Sequence, residues 1–141
     1  MTANRRFTPF ALPWLLIVVV GLLAAWLRYG FIEPPALGHV CDDGHAPSWC
    51  WARQWVVIGF NTYGYGVAAI IVTALAMIAK KSWLAALAAA LGVLALILYC
   101  YYAGAIALLV GCLRLLRLQA NAMATPGYPN RRGNRQIQTQ P

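Results

Sequence analysis

The three acidic residues of the chain, Glu33, Asp42 and Asp43, all fall in one short stretch, and everywhere else the sequence runs without a negative charge. On either side of that stretch apolar residues continue for lengths that a small soluble domain has no means of burying. Basic residues gather at Arg5 and Arg6, at Lys80 and Lys81, and from Arg114 onward. Uncharged runs bounded by clustered cations are the pattern of a polytopic membrane protein with one decorated outer loop. Composition agrees: 62% of the 141 residues are hydrophobic and 10% charged, against about 25% charged in an ordinary soluble domain. The net charge of +8 would suit nucleic acid in a soluble protein. Here the cations flank apolar spans, so anionic headgroups are the nearer partner and nucleic acid is excluded.

The first apolar run, Phe10 to Leu27, has 18 residues and follows Arg5 and Arg6. A secretory core is about 7 to 15 residues and ends at a small-x-small cleavage site. This run is longer and leads into Trp26-Leu27-Arg28-Tyr29, which reads as a retained anchor. Pro9 and Pro13 are expected in its first turns, where a missing amide proton costs little. A second run from about Trp55 to Ala79 is closed by Lys80-Lys81-Ser82. A third, Trp83 to Leu113, has 31 residues. As one helix it would be about 46 Å long against a hydrocarbon core of about 30 Å. A break is therefore expected at Tyr99-Cys100-Tyr101-Tyr102-Ala103-Gly104, where tyrosines cluster and a glycine permits a turn.

The expected fold is an all-α integral membrane bundle of four antiparallel helices over residues 9–118, with spans at about 9–28, 55–79, 83–99 and 103–118. Residues 1–8 form a cytoplasmic N-terminus and 29–54 a periplasmic loop. Residues 119–141, rich in Pro, Gly, Asn, Arg and Gln, read as a disordered cytoplasmic tail. Charge placement favours this count over three spans. With four, nine basic residues lie inside and only Arg28 and Arg53 outside; with three, the split becomes four against seven. The positive-inside rule selects four spans, both termini cytoplasmic, in a bacterial-type inner membrane. The six tryptophans, Trp14, Trp26, Trp49, Trp51, Trp55 and Trp83, fall near proposed helix ends, where amphipathic rings prefer to sit.

The loop holds His39, Cys41, Asp42, Asp43, His45 and Cys50. In an oxidising compartment Cys41 and Cys50 are expected to pair across a turn at Asp43-Gly44. The closed loop would gain roughly 2 to 3 kcal/mol in the chain-entropy picture. His39 and His45 are the candidate metal ligands, since zinc and copper take such groups, but the spacing matches no standard ligand pair and a metal would compete for the same sulfurs. Cys100 is expected at the same outer face, and Cys112 within the fourth helix as an inert thiol. With four spans, cytoplasmic termini and outward cysteines, the layout resembles in topology the DsbB type of quinone-linked disulfide-generating membrane enzyme. That resemblance implies thiol-disulfide exchange. It departs from the type in having no Cys-x-x-Cys and a second outer loop of only a few residues.

Within the spans, Thr62-Tyr63-Gly64-Tyr65-Gly66 is similar to a potassium-channel filter, yet only the 13 residues from Val67 to Ala79 follow it before the lysines, too few for the span a filter needs. Asn61 and Thr62 are instead expected to bond across to a neighbouring helix, and Gly64 to allow its close approach. Ala88 and Gly92 form a small-residue seam for packing within or between molecules. No acidic residue, lysine or histidine lies in mid-span, which disfavours an ion-driven carrier. No triad, phosphate loop or carboxylate pair supports an enzyme, and no cofactor is implied. The expected function is a non-catalytic accessory or structural subunit of a membrane complex or homo-oligomer. A membrane thiol oxidoreductase and an oligomeric transporter are the alternatives.

Overall fold

The computed structural model describes residues 4–42 and 47–124, with only the backbone of residues 4–9, Asp42 and Ala124. The expected N-terminal residues 1–3, Asp43, His45 and the tail from residue 125 lie outside the described residues. Every described element is helical: α1 (Asn4–Trp26), a π-helical segment (Leu27–Ile32), α2 (Pro35–Asp42), α3 (Trp49–Asn61), α4 (Gly64–Ile78), α5 (Ser82–Ile97) and α6 (Tyr101–Ala124).

α1 starts at Asn4, earlier than expected, so Pro9 and Pro13 lie inside the helix instead of in its first turn. Each removes a helical amide and frees a carbonyl one turn back. Beyond Trp26 the chain widens into i to i+5 bonding, closed by Glu33 N–H donating to Arg28 O at 2.9 Å. The segment ends at Ile32, and α2 begins on Pro35, a first helical position where the missing amide proton costs little. The apolar stretch Phe10–Ile32 is long enough to cross a membrane, as is Tyr101–Met123.

The second expected span is not one straight helix. α3 and α4 meet at a 63° bend, at Tyr63, whose φ of 59° is left-handed. Thr62 hydroxyl donates to Ile58 O, one turn back in its own helix, and not across to a neighbour. Asn61 and Gly64 are exposed at this bend. The reason is local: the Thr62 amide and hydroxyl both donate to Ile58 O and the Tyr63 amide donates to Phe60 O, bonds within the turn that end α3.

α5 and α6 form a tight hairpin, and α5 is central, with α1 and α4 also packed on it. Glycine makes the hairpin possible. A Cβ on Gly92 would lie 2.5 Å from Leu108 N, one on Gly104 2.6 Å from Leu96 N, and one on Gly111 2.6 Å from Ala89 N. Ala85, Ala88, Ala89, Ala95 and Ala107 are fully buried in the surrounding core. The small-residue seam at Ala88 and Gly92 is thus spent inside the molecule, holding one helix to its neighbour by close backbone approach.

α6 runs to Ala124, past the boundary expected at residue 118, because polar Gln119 has partners on α1. Trp14 Nε1 donates to Gln119 Oε1 at 3.1 Å, and Gln119 Nε2 donates to Phe10 O at 2.9 Å. This clamp ties the first and last helices at the end of the molecule that carries Lys80 and Lys81.

Candidate functional site

The turn between α5 and α6 positions the polar cluster at the opposite end. Cys100 N–H donates to Ala95 O at 2.8 Å, a six-to-one bond that closes α5 with Tyr99 in the left-handed conformation, φ 68°. Glycine usually fills that position, since a Cβ there is strained. The expected glycine of the turn, Gly104, is instead packed in the hairpin interface. What keeps a tyrosine in the strained position is its side chain. The Tyr99 ring lies 4.2 Å from Arg28 Cζ, its hydroxyl donates to Glu33 Oε1 at 3.0 Å, and Phe60 packs beside it at 5.6 Å between centroids.

Arg28 joins the cluster from the π-helical segment. The wide turn brings residues five apart alongside, and Arg28 and Glu33 are five apart; Arg28 Nε donates to Glu33 Oε1 at 2.9 Å. Its Nη1 donates to Ile97 O at 3.0 Å, the last carbonyl of α5, where a cation also meets the negative end of the helix dipole. The bonded guanidinium, followed by the Tyr99 hydroxyl, holds the Glu33 carboxyl below its ordinary value. The same bond makes Tyr99 more reluctant to lose its proton. One charged pair and one ring therefore connect the end of the α1 extension, the end of α5, the hairpin turn and the end of α3.

Arg53 and Arg114 repeat the device. Arg53 Nη2 donates to Ile32 O at 3.0 Å, the last carbonyl of the π-helical segment. Arg114 Nη2 donates to Met77 O at 3.1 Å, in the last turn of α4. Carbonyls at a helix end have no partner within the helix, and an arginine fork from another helix supplies one.

Cys41 and Cys50 form a disulfide, Cα to Cα 5.6 Å, joining the end of α2 to the start of α3. It borders a cavity of about 490 Å³ that also meets Ser48, Trp51, Arg53 and Gln54. The Nε of Arg53 is buried and has no hydrogen-bond partner. His39 is exposed on α2. Among the described residues no group of three or more His, Cys, Asp or Glu side chains is placed to hold a metal ion. Cys100 is fully buried beside Ala69, Ala95 and Ala107 instead of facing outward, and Cys112 is only partly buried against the Ile17 and Leu115 cluster.

Neither a nucleophile with a base nor a carboxylate pair faces a cavity among the described residues; the polar side chains of the cluster are engaged in holding helix ends. The arginine roles are not legible from residue type alone, but the Arg28 to Glu33 spacing just before Pro34-Pro35 is a signal that sequence reading could have used. Comparison with known proteins gives no match: no family model, no curated protein and no solved structure is similar to this chain.

Proposed function

We propose that the chain is a small multi-pass inner-membrane protein that acts as a non-catalytic accessory subunit, presenting a rigid, disulfide-closed cap on the outer side of the membrane. Four crossings make up the membrane body: α1 with its π-helical extension, α4, α5 and α6, with α3 turned out of the α4 axis at the outer surface. Both termini lie in the cytoplasm, with Lys80, Lys81, Arg114 and Arg117 on the inner side and the Arg28–Glu33–Tyr99 cluster on the outer side.

The observation that carries this reading is how the polar groups are used. Arg28, Arg53 and Arg114 each close the end of a helix other than their own, so these three arginines serve chiefly to fix helix ends. In a low-dielectric surrounding such bonds are strong, and their loss leaves a buried group unsatisfied. The outward helix α3 fits the same picture. Its inner side holds Trp49 against Phe31, Arg53 on Ile32 and Phe60 on Tyr99. Its outer side carries Trp51, Trp55 and Ile58, exposed at 69%, 59% and 43%. That i, i+4, i+7 stripe, turned by the bend away from the axis of α4, suits a helix lying in the outer membrane interface.

The test is extraction of the tagged, natively expressed protein in mild detergent, followed by native electrophoresis with a second dimension. An accessory subunit migrates in a complex of defined size whose components stay together when the chain is pulled back, and deletion of the chain shifts that complex. Migration as a single copy, with no complex altered by its deletion, defeats the reading.

One observation favours a second reading, a membrane thiol oxidoreductase: the Cys41–Cys50 disulfide borders an open cavity beside Arg53, a cation that would stabilise a thiolate. Against it, Cys100 is sealed in the core and offers no resolving thiol at the surface. Trapping of mixed disulfides by a Cys50→Ser or Cys41→Ser variant separates the two; the accessory reading predicts none.

A further inference from the structure

α1 and α5 lie side by side but do not close on one another along one flank. Leu12, Leu16 and Val19 of α1 and Trp83, Ala86 and Leu87 of α5 line a groove of about 520 Å³ with an almost wholly apolar lining. A dry apolar groove of this size holds hydrocarbon and rejects water.

Its position in the fold says which hydrocarbon. The groove starts beside Trp83 in the first turn of α5, directly after Lys80 and Lys81. Both lysines are exposed, and the one ion pair among the described residues, Arg28–Glu33, lies at the far end of α5. Lys80 and Ser82 also border a second recess, of about 300 Å³ and partly polar, together with Gln119. The lysine end thus offers cations and a polar hollow, with no acidic side chain paired to either lysine among the described residues. Length adds a further reason. α5 has 16 residues, about 24 Å as a helix, short of a hydrocarbon core of about 30 Å. A helix that short draws the neighbouring headgroups towards its ends, which brings a phosphate down to the level of the lysines.

We propose that this groove binds one acyl chain of an anionic phospholipid, whose phosphate is held by Lys80 and Lys81. The inference rests on the membrane placement above and not on the accessory role. The site differs from an ordinary lipid contact in requiring both parts: the apolar trough fixes the chain and the paired cations choose the headgroup.

The experiment uses the full chain purified in detergent and read by native mass spectrometry with added phosphatidylglycerol or phosphatidylcholine. The wild type retains one phosphatidylglycerol in preference to phosphatidylcholine. The double variant Lys80→Gln, Lys81→Gln loses that preference, by roughly 30-fold for two lysines. Leu16→Trp, which fills the groove from an exposed position, loses retention of the lipid while both lysines remain, and inorganic phosphate does not displace the lipid from the wild type. Equal retention of the two lipids by the wild type, or unchanged retention in both variants, overturns the proposal. A protein that never required detergent, staying in the aqueous fraction after alkaline washing of membranes, would instead overturn the membrane placement itself. The two variants act at opposite ends of the site, so misfolding of one, seen as lost helicity, leaves the other to decide.

Discussion

Tyr99 stands where a helix of this kind usually ends on glycine, and its left-handed backbone costs about 1 kcal/mol or more. Its ring and hydroxyl recover that cost through Arg28, Glu33 and Phe60. Tyr99→Phe should retain the ring contacts and lose only the hydroxyl bond, lowering stability by about 0.5 to 1.5 kcal/mol. Tyr99→Gly relieves the backbone yet should be the less stable of the two, because it also gives up the cation–π contact and the buried ring area. Thermal unfolding of the detergent-solubilised variants ranks them. The opposite order would mean that the strain, and not the ring, governs the turn. Glu33 adds a pH signature. Because its folded-state carboxyl is held below the ordinary value of 4.5, its contribution is fully present above that pH. It is lost as the pH falls through the lower folded-state value. The difference in melting temperature between wild type and Glu33→Gln should stay constant from neutrality to about that pH and shrink below it. A difference that changes between pH 6 and 8 would assign the latch to another group.

Among the elements, the α5–α6 hairpin depends on positions where no side chain fits. Gly92→Ala and Gly111→Ala should each destabilise by about 1 to 3 kcal/mol, since the new Cβ meets backbone that has no room to move. Gly38→Ala, whose Cβ would meet only the tip of Arg53 at 3.8 Å, should be neutral or slightly stabilising. Equal effects at all three sites, in the same unfolding assay, would show that helix propensity and not close packing is being read. α3 makes its own prediction. In bilayers carrying bromine at defined depths, wild-type tryptophan emission should contain a component quenched by shallow labels that Trp51→Phe with Trp55→Phe removes. Quenching of that component by aqueous acrylamide instead would place the stripe in water. The hydrophobic runs and the lysine turn made the long helices legible in the sequence, and the length of the Trp83 to Leu113 run made the hairpin break legible. The bend at Tyr63 was hidden because Trp55 to Ala79 is apolar but for Asn61, Thr62 and Thr73; what accompanies the break is the Thr62 hydroxyl bonding to its own helix and the left-handed Tyr63, signals that hydropathy does not carry. The early start of α1 was hidden for the converse reason, since polar Asn4, Arg5 and Arg6 continue a helix that hydropathy places later.

Taken whole, the molecule is divided by charge along its length. One end carries the disulfide, Glu33 with Arg28 and Arg53, and the aromatic turn; the other carries the exposed Lys80 and Lys81 and the Trp14–Gln119 clamp. Cys41 and Cys50 were legible as a pair from their spacing once the loop was placed in an oxidising compartment. The arginine caps were not, because they join residues as far apart as Arg28 and Ile97, whose proximity exists only after folding. The same polarity makes the membrane orientation testable at a stroke. Intact cells are treated with a membrane-impermeant maleimide, before and after a reductant, and the labelled chain is counted by mass. The account predicts no label before reduction and two labels after it, on Cys41 and Cys50, with buried Cys100 and intramembrane Cys112 silent. Labelling without reduction, or labelling that appears only once the membrane is opened, would contradict it.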